Sequence, residues 1–216
     1  MTKLPIPARI YVAAVVVLGA AMLSLADVPR GDQLPVFLVL IVASLLTSAF
    51  KLQLPTTKNH ATMSVAFVID FASLMLLGPD LAMLITASSA VMQSTVGVSN
   101  RNPLYRTLFN AASLILTVQA AGFAHGALGG TTGRFAWPGD ATPLVAAVVV
   151  WFLVNTGSIA IAMALSTRQP VRRVWHHSFL MSGPSYFVGA FVAVLISEVV
   201  GRGMWSVLPL AGVPMF

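Results

Sequence analysis

Long apolar runs separated by short polar breaks constrain this chain more than any other feature of its sequence. A helix needs about 20 mainly apolar residues to cross a bilayer, and seven runs approach that length. Only 8% of the residues are charged, against about 25% in soluble domains. The sequence therefore predicts an all-α fold, a polytopic membrane helix bundle forming one integral membrane domain over residues 1–216. The predicted spans are 6–26, 34–50, 61–77, 80–98, 104–128, 143–165 and 179–200.

The positions of the basic residues predict the orientation of this bundle. With alternating loops, nine Lys and Arg residues fall on the side of the N-terminus, and three fall on the other side. Because positively charged loops stay inside, the N-terminus is predicted to be cytoplasmic. The nine are Lys3, Arg9, Lys51, Lys58, Arg101, Arg106, Arg168, Arg172 and Arg173, and the three are Arg30, Arg134 and Arg202. The net charge of +6 is thus a topology signal, and no nucleic-acid partner is predicted, because no loop interleaves basic and aromatic residues.

Both ends of the chain leave alternatives open. Residues 24–26 (Ser-Leu-Ala) resemble a signal-peptide cleavage site, but the apolar run before them is long enough to be a retained helix. Residues 204–216 turn apolar again and are too few to cross a bilayer. They are predicted to be a short interfacial segment or the beginning of an eighth span in a longer protein. Pro184, inside the seventh predicted span, is expected to kink that helix or delay its start.

Asp70 is the most informative single residue. It lies about eight residues from the turn at Gly78, hence about 12 Å along a helix, which places it near mid-membrane. A carboxyl at this depth costs about 2.5–3.5 kcal/mol on insertion scales and marks a functional site by default. We therefore predict that Asp70 binds a ligand, a cation or a proton, with Ser73 on the same helix face. The alternative is a protonated carboxyl that only hydrogen-bonds a neighbouring helix.

Four further polar residues lie at membrane depth. Gln119 and Asn155 are candidate ligand contacts at a depth similar to that of Asp70, although such side chains more often tie helices together. Gln93 is interpreted as a structural residue of that second kind. Glu198 lies near the outer boundary, where solvation is sufficient to explain it.

Arg106 and Asn110 are four residues apart and therefore share one helix face. Both fall at the cytoplasmic end of the fifth predicted span. An arginine at a membrane boundary extends its charge towards water, and an asparagine there can bond a neighbouring helix. We interpret the pair as structural and as a marker of topology.

Small residues recur every four positions at Gly122, Gly126 and Gly130. In an apolar helix this spacing permits close approach of two backbones. We predict that these glycines serve helix packing, within the chain or across a homodimer.

Catalysis and metal binding lack support in the sequence. The absence of cysteine excludes a disulfide scaffold and a cysteine-based zinc site. The four histidines, His60, His125, His176 and His177, have no metal-binding spacing, so a haem held by His125 remains only a minor alternative. We predict no enzyme activity, no metal and no cofactor.

A series of short motifs runs through the middle and end of the chain. They are Ser64-Val-Ala-Phe, the turn Leu77-Gly78-Pro79, the loop Arg101-Asn102-Pro103, the helix start Leu108-Phe109-Asn110-Ala111-Ala112, the loop Ser166–Trp175 and Pro184-Ser185-Tyr186. In these motifs the chain resembles the N-terminal multi-spanning membrane sensor regions, the MASE-like regions, that precede HD-GYP phosphodiesterase and GGDEF diguanylate cyclase domains in bacteria.

This resemblance implies a sensor in the bacterial inner membrane that signals to a cytoplasmic cyclic-dinucleotide enzyme. The chain carries no such catalytic domain, so the enzyme is expected in cis in a longer protein or in trans as a partner. The favoured hypothesis is therefore a sensory input domain whose small or lipophilic ligand enters near Asp70, or which senses the state of the membrane. Its expected partners are the lipid bilayer, the signalling domain and a second copy of the chain.

Two other hypotheses remain open at this stage. One is a small-molecule transporter subunit resembling the substrate-binding membrane component of vitamin-uptake systems, which has similar size and small-residue helix faces. The other is a membrane scaffold whose polar residues only hold the bundle together.

Overall fold

A computed structural model of the protein describes residues 4–49, 65–96, 103–133, 135 and 137–202. These residues form eight α-helices and one 3-10 helix, with no strand among them. The helices are α1 (Ile6–Ser24), α2 (Leu34–Ala49), α3 (Val65–Leu77), α4 (Pro79–Thr95), α5 (Leu104–Ala127), α6 (Ala141–Thr167), α7 (Val171–Ser178), the 3-10 helix (Leu180–Ser182) and α8 (Gly183–Gly201). The predicted apolar segment 204–216, the beginning of the third predicted span (61–64), His60 and Arg101 lie outside the described residues.

Proline and glycine residues mark where the helices begin. Pro79 lies in the first turn of α4, where the missing N–H of proline needs no partner. Gly78, between α3 and α4, has a φ of +82°, which side chains with a Cβ rarely adopt. The chain therefore reverses directly from α3 into α4, as the sequence predicts for a tight hairpin.

The seventh predicted span, 179–200, lies within the continuous helical stretch Val171–Gly201. Its α-helix begins at Gly183, and Pro184 lies in the first turn of that helix. Before it come α7 and the 3-10 helix, so the loop predicted over 166–175 is partly helical. His176 and His177 consequently lie in α7 and not at the start of a span. The pattern of 171–178 is amphipathic and short, so the sequence did not indicate a helix there.

Four helical segments are long and apolar enough to cross a membrane, by length and composition. They are Ile6–Ser24, Leu104–Ala127, Ala141–Thr167 and the continuous helical stretch Val171–Gly201. Shorter apolar helices cover Leu34–Ala49 and Ala66–Leu77. Large apolar side chains such as Ile10, Phe123 and Phe191 are more than 60% exposed, as expected where lipid is the solvent. The described chain is therefore an all-helical membrane domain.

Helix α3 occupies the centre of the packing. Each residue from Ala66 to Met75 is buried, except Ile69, which is half-buried. Its neighbours are α2, α4 and α8, and its ring side chains pack with Trp151 of α6 in the main core. Because α3 is surrounded in this way, Asp70 is buried in the interior of the bundle.

Helix α1 packs against α5 and α6. A Cβ on Gly19 would lie 2.6 Å from the Cβ of Ala112 on α5, so the two backbones approach as closely as side chains allow. One to two turns earlier, the rings of Tyr11 and Phe109 are 6.0 Å apart. These contacts hold α1 against α5.

Candidate functional site

The carboxyl of Asp70 joins three helices. Ser44 of α2 donates a hydrogen bond to Oδ1 at 2.7 Å, and Ser89 of α4 donates to Oδ2 at 3.1 Å. All three side chains are at most 3% exposed. In an apolar core a polar group costs free energy unless it is hydrogen-bonded, and the two serines remove much of that cost.

Gln93 extends this polar cluster by one turn of α4. Its Nε2 lies 3.4 Å from Oγ of Ser48 and 3.5 Å from Oγ of Ser89. These distances are long for hydrogen bonds, so the amide is held more loosely than Asp70. A polar cluster therefore lies where α3 meets α2 and α4, although these helices are otherwise mainly apolar.

A cavity of about 310 Å³ lies beside Asp70. Walls come from α3, α4, α5, α6, the 3-10 helix and α8. The lining residues are Phe67, Asp70, Ala90, Gln93, Ser94, Asn110, Ser113, Leu114, Trp151, Asn155, Thr156, Ile159, Phe179, Ser182, Ser185 and Tyr186. Asn110 is an exposed member of this set, so the cavity is open at that edge. Its volume and its mixture of apolar and polar walls are typical of small-molecule sites.

Aromatic rings form one side of the cavity. Phe67 packs edge to face with Trp151 at a centroid distance of 5.5 Å and with Tyr186 at 4.8 Å. Phe67 is three residues before Asp70 and therefore on the same face of α3. These contacts hold the rings in place relative to one another.

Hydrogen-bonding capacity in the cavity is only partly used. Asn155 donates from Nδ2 to the hydroxyl of Tyr186 at 3.0 Å, which leaves the amide oxygen and the tyrosine proton available to a ligand. Ser113 is 2% exposed, and its buried Oγ has no hydrogen-bond partner among the described residues. A buried hydroxyl without a partner costs about 1–3 kcal/mol, which a ligand in the cavity can recover.

Among the described residues that line the cavity, Asp70 alone carries a formal charge when ionised. None of them is Lys, Arg or His. The cavity is therefore suited to a neutral or positively charged molecule.

One wall of the cavity is connected to α7. Trp175 of α7 donates from Nε1 to Oγ1 of the lining residue Thr156 at 2.9 Å. Its ring also packs against Phe152 of α6, with centroids 5.9 Å apart. Arg172, Arg173, His176 and His177 are exposed on the same short helix. A hydrogen bond and a ring contact thus join this part of α6 to the basic surface of α7.

The residues that the sequence singled out as ligand contacts divide into two groups. Asp70 and Asn155 line the cavity. Ser73 is fully buried and donates to the carbonyl of Ile69 at 2.8 Å. Gln119 donates to Oδ1 of Asp80 at 3.1 Å, near the opposite end of α4, and neither it nor Ser73 lines the cavity.

The residues interpreted as structural are placed as follows. Gln93 and Asn110 line the cavity, whereas Arg106 does not line it and is exposed. Glu198 accepts a hydrogen bond from Nε of Arg202 at 2.7 Å. No motif pointed to Ser44, Ser89 or Ser113, since single serines are common in apolar helices and only the packing brings them together.

The three spaced glycines have different surroundings. A Cβ on Gly122 would lie 2.6 Å from the Cβ of Pro79, so α5 packs closely on the α3–α4 hairpin there. Gly126 has no atom within 4 Å of such a Cβ. Gly130 lies beyond the end of α5 and covers the ring of the buried His125.

The comparison with protein families decides the identity of the domain. The model of the MASE9 family matches residues 32–214, which is most of the chain. The chain belongs to the MASE9 family. MASE families are membrane-associated sensory domains of cyclic-di-GMP signalling proteins, so the resemblance inferred from the short motifs is confirmed. No curated protein and no solved structure matches the chain.

The MASE9 match includes every residue that lines the cavity and begins after α1. The cavity therefore belongs to the part of the chain that the MASE9 family shares. MASE domains are sensory input domains and not catalytic ones, so membership favours a non-enzymatic role. In the described part of the chain, no group of three or more His, Cys, Asp or Glu residues is placed to hold a metal ion.

Proposed function

We propose that this MASE9 domain binds a small molecule in the cavity beside Asp70 and signals its presence to a cytoplasmic cyclic-dinucleotide enzyme. The observation that carries the proposal is the cavity of about 310 Å³, which is lined by Ser113, whose buried hydroxyl bonds none of the described residues. A membrane bundle that served only as a scaffold would gain stability by filling this space. The transporter alternative has no supporting observation.

The topology proposed for this function has seven spans, with the N-terminus in the cytoplasm of a bacterium and the domain in its inner membrane. The spans are α1 to α6 and α8. In this arrangement α7 lies at the cytoplasmic surface, and the cavity is nearer to that surface than to the outer one. The excess of basic residues on this side supports the orientation.

The proposed signal is a shift between two arrangements of the helices, which the ligand binds with different affinities. A ligand shifts such an equilibrium only by the difference between its affinities for the two states. The cavity touches α8 directly through Ser185 and Tyr186, and it touches α7 through the bond between Thr156 and Trp175. These two helices are the proposed output elements, and the enzyme they address is in cis or in trans.

Substitution on one helix tests the proposal with a matched control. Asn155→Phe places a ring in the cavity, and Leu153→Phe places the same ring on the exposed side of α6, where Leu153 is 47% exposed. We expect Asn155→Phe to abolish the effect of the gene on cellular cyclic-di-GMP, measured after deletion and reintroduction in the host bacterium. Leu153→Phe should behave as wild type.

The amounts of the two variants in the membrane are compared by immunoblot, so that a loss of signalling is distinguished from a loss of protein. An Asn155→Phe protein that is present and still signals normally contradicts a role for the cavity. A deletion that leaves cyclic-di-GMP unchanged contradicts the signalling role itself.

A further inference from the structure

We propose that the ligand of this cavity is a small organic cation, an ammonium compound with an aromatic or short aliphatic body, whose charge is held by Asp70. This inference rests on the proposed function, because it names the chemical class that the same cavity takes. It follows from the charge, the rings and the remaining hydrogen-bonding groups of the lining.

An ionised Asp70 has no basic counterpart among the described residues. A carboxylate offers about four lone-pair sites, and the hydroxyls of Ser44 and Ser89 use two of them. Arg202 and Glu198 form an ion pair, far along the chain from Asp70. No described basic side chain lies within pairing distance of the Asp70 carboxyl. An ionised carboxylate enclosed by protein requires a cation nearby, and a cationic ligand in the adjoining cavity supplies it.

The aromatic wall supplies a second interaction with the same charge. Phe67, Trp151 and Tyr186 line the cavity next to Asp70. The face of an aromatic ring attracts an ammonium group within about 6 Å, most strongly when the site is desolvated. Phe67 and Asp70 lie one turn apart on α3, so one ammonium group is within reach of both.

The remaining lining limits the rest of the ligand. Ser113, Asn155 and Tyr186 offer hydrogen bonds to one further polar substituent. Anionic ligands, such as carboxylates and phosphates, lack a partner because no described lining residue is basic. A cavity of about 310 Å³ holds a compact molecule, and the organic cation is accordingly small.

Three probes of one shape and different charge test the inference on the full chain in lipid nanodiscs. They are phenethylamine, which is protonated at pH 7, neutral 2-phenylethanol and anionic phenylacetate. By calorimetry, we expect the amine to bind about tenfold more tightly than the alcohol, and the anion to show no binding. Asp70→Asn keeps the size of the side chain and its ability to bond both serines, and it should remove the preference for the amine.

Two further variants keep the test decisive. Asp27→Asn changes an exposed acid between α1 and α2 and should leave all affinities unchanged. Phe67→Leu keeps the carboxylate but removes a ring, and should weaken amine binding several-fold even if Asp70→Asn fails to fold. Thermal unfolding identifies any variant that has lost its structure.

The outcomes separate this inference from the proposed function. Equal affinity of wild type for the amine and the alcohol, no amine binding at millimolar concentration, or an unchanged amine preference in Asp70→Asn overturns the cation assignment. In each case the cavity can still bind another class of molecule, which the cellular effect of Asn155→Phe reports. If Asn155→Phe leaves both amine binding and cellular cyclic-di-GMP unchanged, the proposed function itself is wrong.

Discussion

At the scale of single residues, the hydroxyl of Ser113 is expected to have opposite effects on the stability of the fold and on ligand affinity. Its buried Oγ has no partner in the part of the chain that the structure describes, so burial of this hydroxyl costs free energy. Such a group is expected where a ligand provides the missing hydrogen bond, because a purely structural serine in a helix normally bonds the carbonyl four residues earlier. Ser197 of α8 does this, donating to Ala193 at 2.8 Å.

We expect Ser113→Ala to leave the free energy of unfolding unchanged or to raise it by up to about 1 kcal/mol. Affinity for tyramine, which is phenethylamine with one further hydroxyl, should fall several-fold in the same variant, while affinity for phenethylamine should change little. Denaturant unfolding in detergent and calorimetry in nanodiscs measure the two quantities. Ser197→Ala is the control and should lose a little stability with no change in affinity. If Ser113→Ala is destabilised by more than about 1 kcal/mol, its hydroxyl has a partner in the folded protein.

Individual residues also show how far the sequence can lead. Asp70 could be identified because an acid in an apolar helix is rare. Its partners Ser44 and Ser89 could not, because they lie 26 and 19 residues away and serine is unremarkable in a membrane helix. Gln119 lies at the expected depth but faces Asp80, since depth along a helix does not fix which neighbour a side chain meets.

At the scale of helices, the contact between α1 and α5 depends on the absence of a side chain at Gly19. We predict that Gly19→Ala lowers the free energy of unfolding by about 1–3 kcal/mol, because the new Cβ would lie 2.6 Å from that of Ala112. Gly157→Ala is the matched control, since nothing lies within 4 Å of a Cβ there. Both changes gain the same helix propensity, about 0.5–1 kcal/mol.

Denaturant titration of the two variants in the same detergent measures the difference. Gly157→Ala should equal or exceed wild type in stability. Equal stability of the two variants would mean that α1 moves away from α5 without cost.

The connection between α6 and α7 gives another prediction at this scale. Trp175→Phe removes the hydrogen bond to Thr156 and retains a ring beside Phe152. A dye attached at Ser178→Cys on α7 reports movement of that helix. We expect Trp175→Phe to bind phenethylamine normally while the ligand-dependent change in dye fluorescence is largely lost. A full fluorescence response in this variant would show that α7 follows the cavity by another route.

The short helix α7 was not predicted from the sequence, which was interpreted there as a cytoplasmic loop. Its sequence, Val171–Ser178, has apolar residues on one side and basic ones on the other. The spans were predicted from apolar runs of about 20 residues, so a helix of eight residues was not identified. By contrast, the hairpin at Gly78 was predictable, because Gly-Pro-Asp between two apolar runs favours one local structure.

At the scale of the whole molecule, the proposed orientation can be measured directly. The sequence contains no cysteine, so single cysteines can be introduced without other changes. Gly31→Cys lies between α1 and α2 with open space around it, and Ser178→Cys is exposed on α7. In intact cells, an impermeant maleimide should label position 31 and leave position 178 unlabelled until the membrane is opened.

The reverse labelling would place the N-terminus outside and α7 at the outer surface. Labelling of both positions in intact cells would contradict seven spans, because an even number of crossings would then separate them.

The class of the molecule was predictable from composition, since so few charges cannot cover a water-exposed surface. The MASE family was predictable from short motifs, and the family match confirms it. The cavity was not predictable, because it arises where six elements meet at residues far apart in sequence. The Ser166–Trp175 stretch contributed to the resemblance even though its helical structure was missed.

The shared position of Asp70 constrains how related domains can diverge. Its carboxyl serves the architecture through α2 and α4 and the proposed chemistry through the cavity, so any exchange there alters both at once. Residues such as Asn155, Ser185 and Ile159 line the wall of the cavity that α6 and α8 form. Related domains that bind different ligands are therefore expected to differ in the residues of that wall and to retain Asp70.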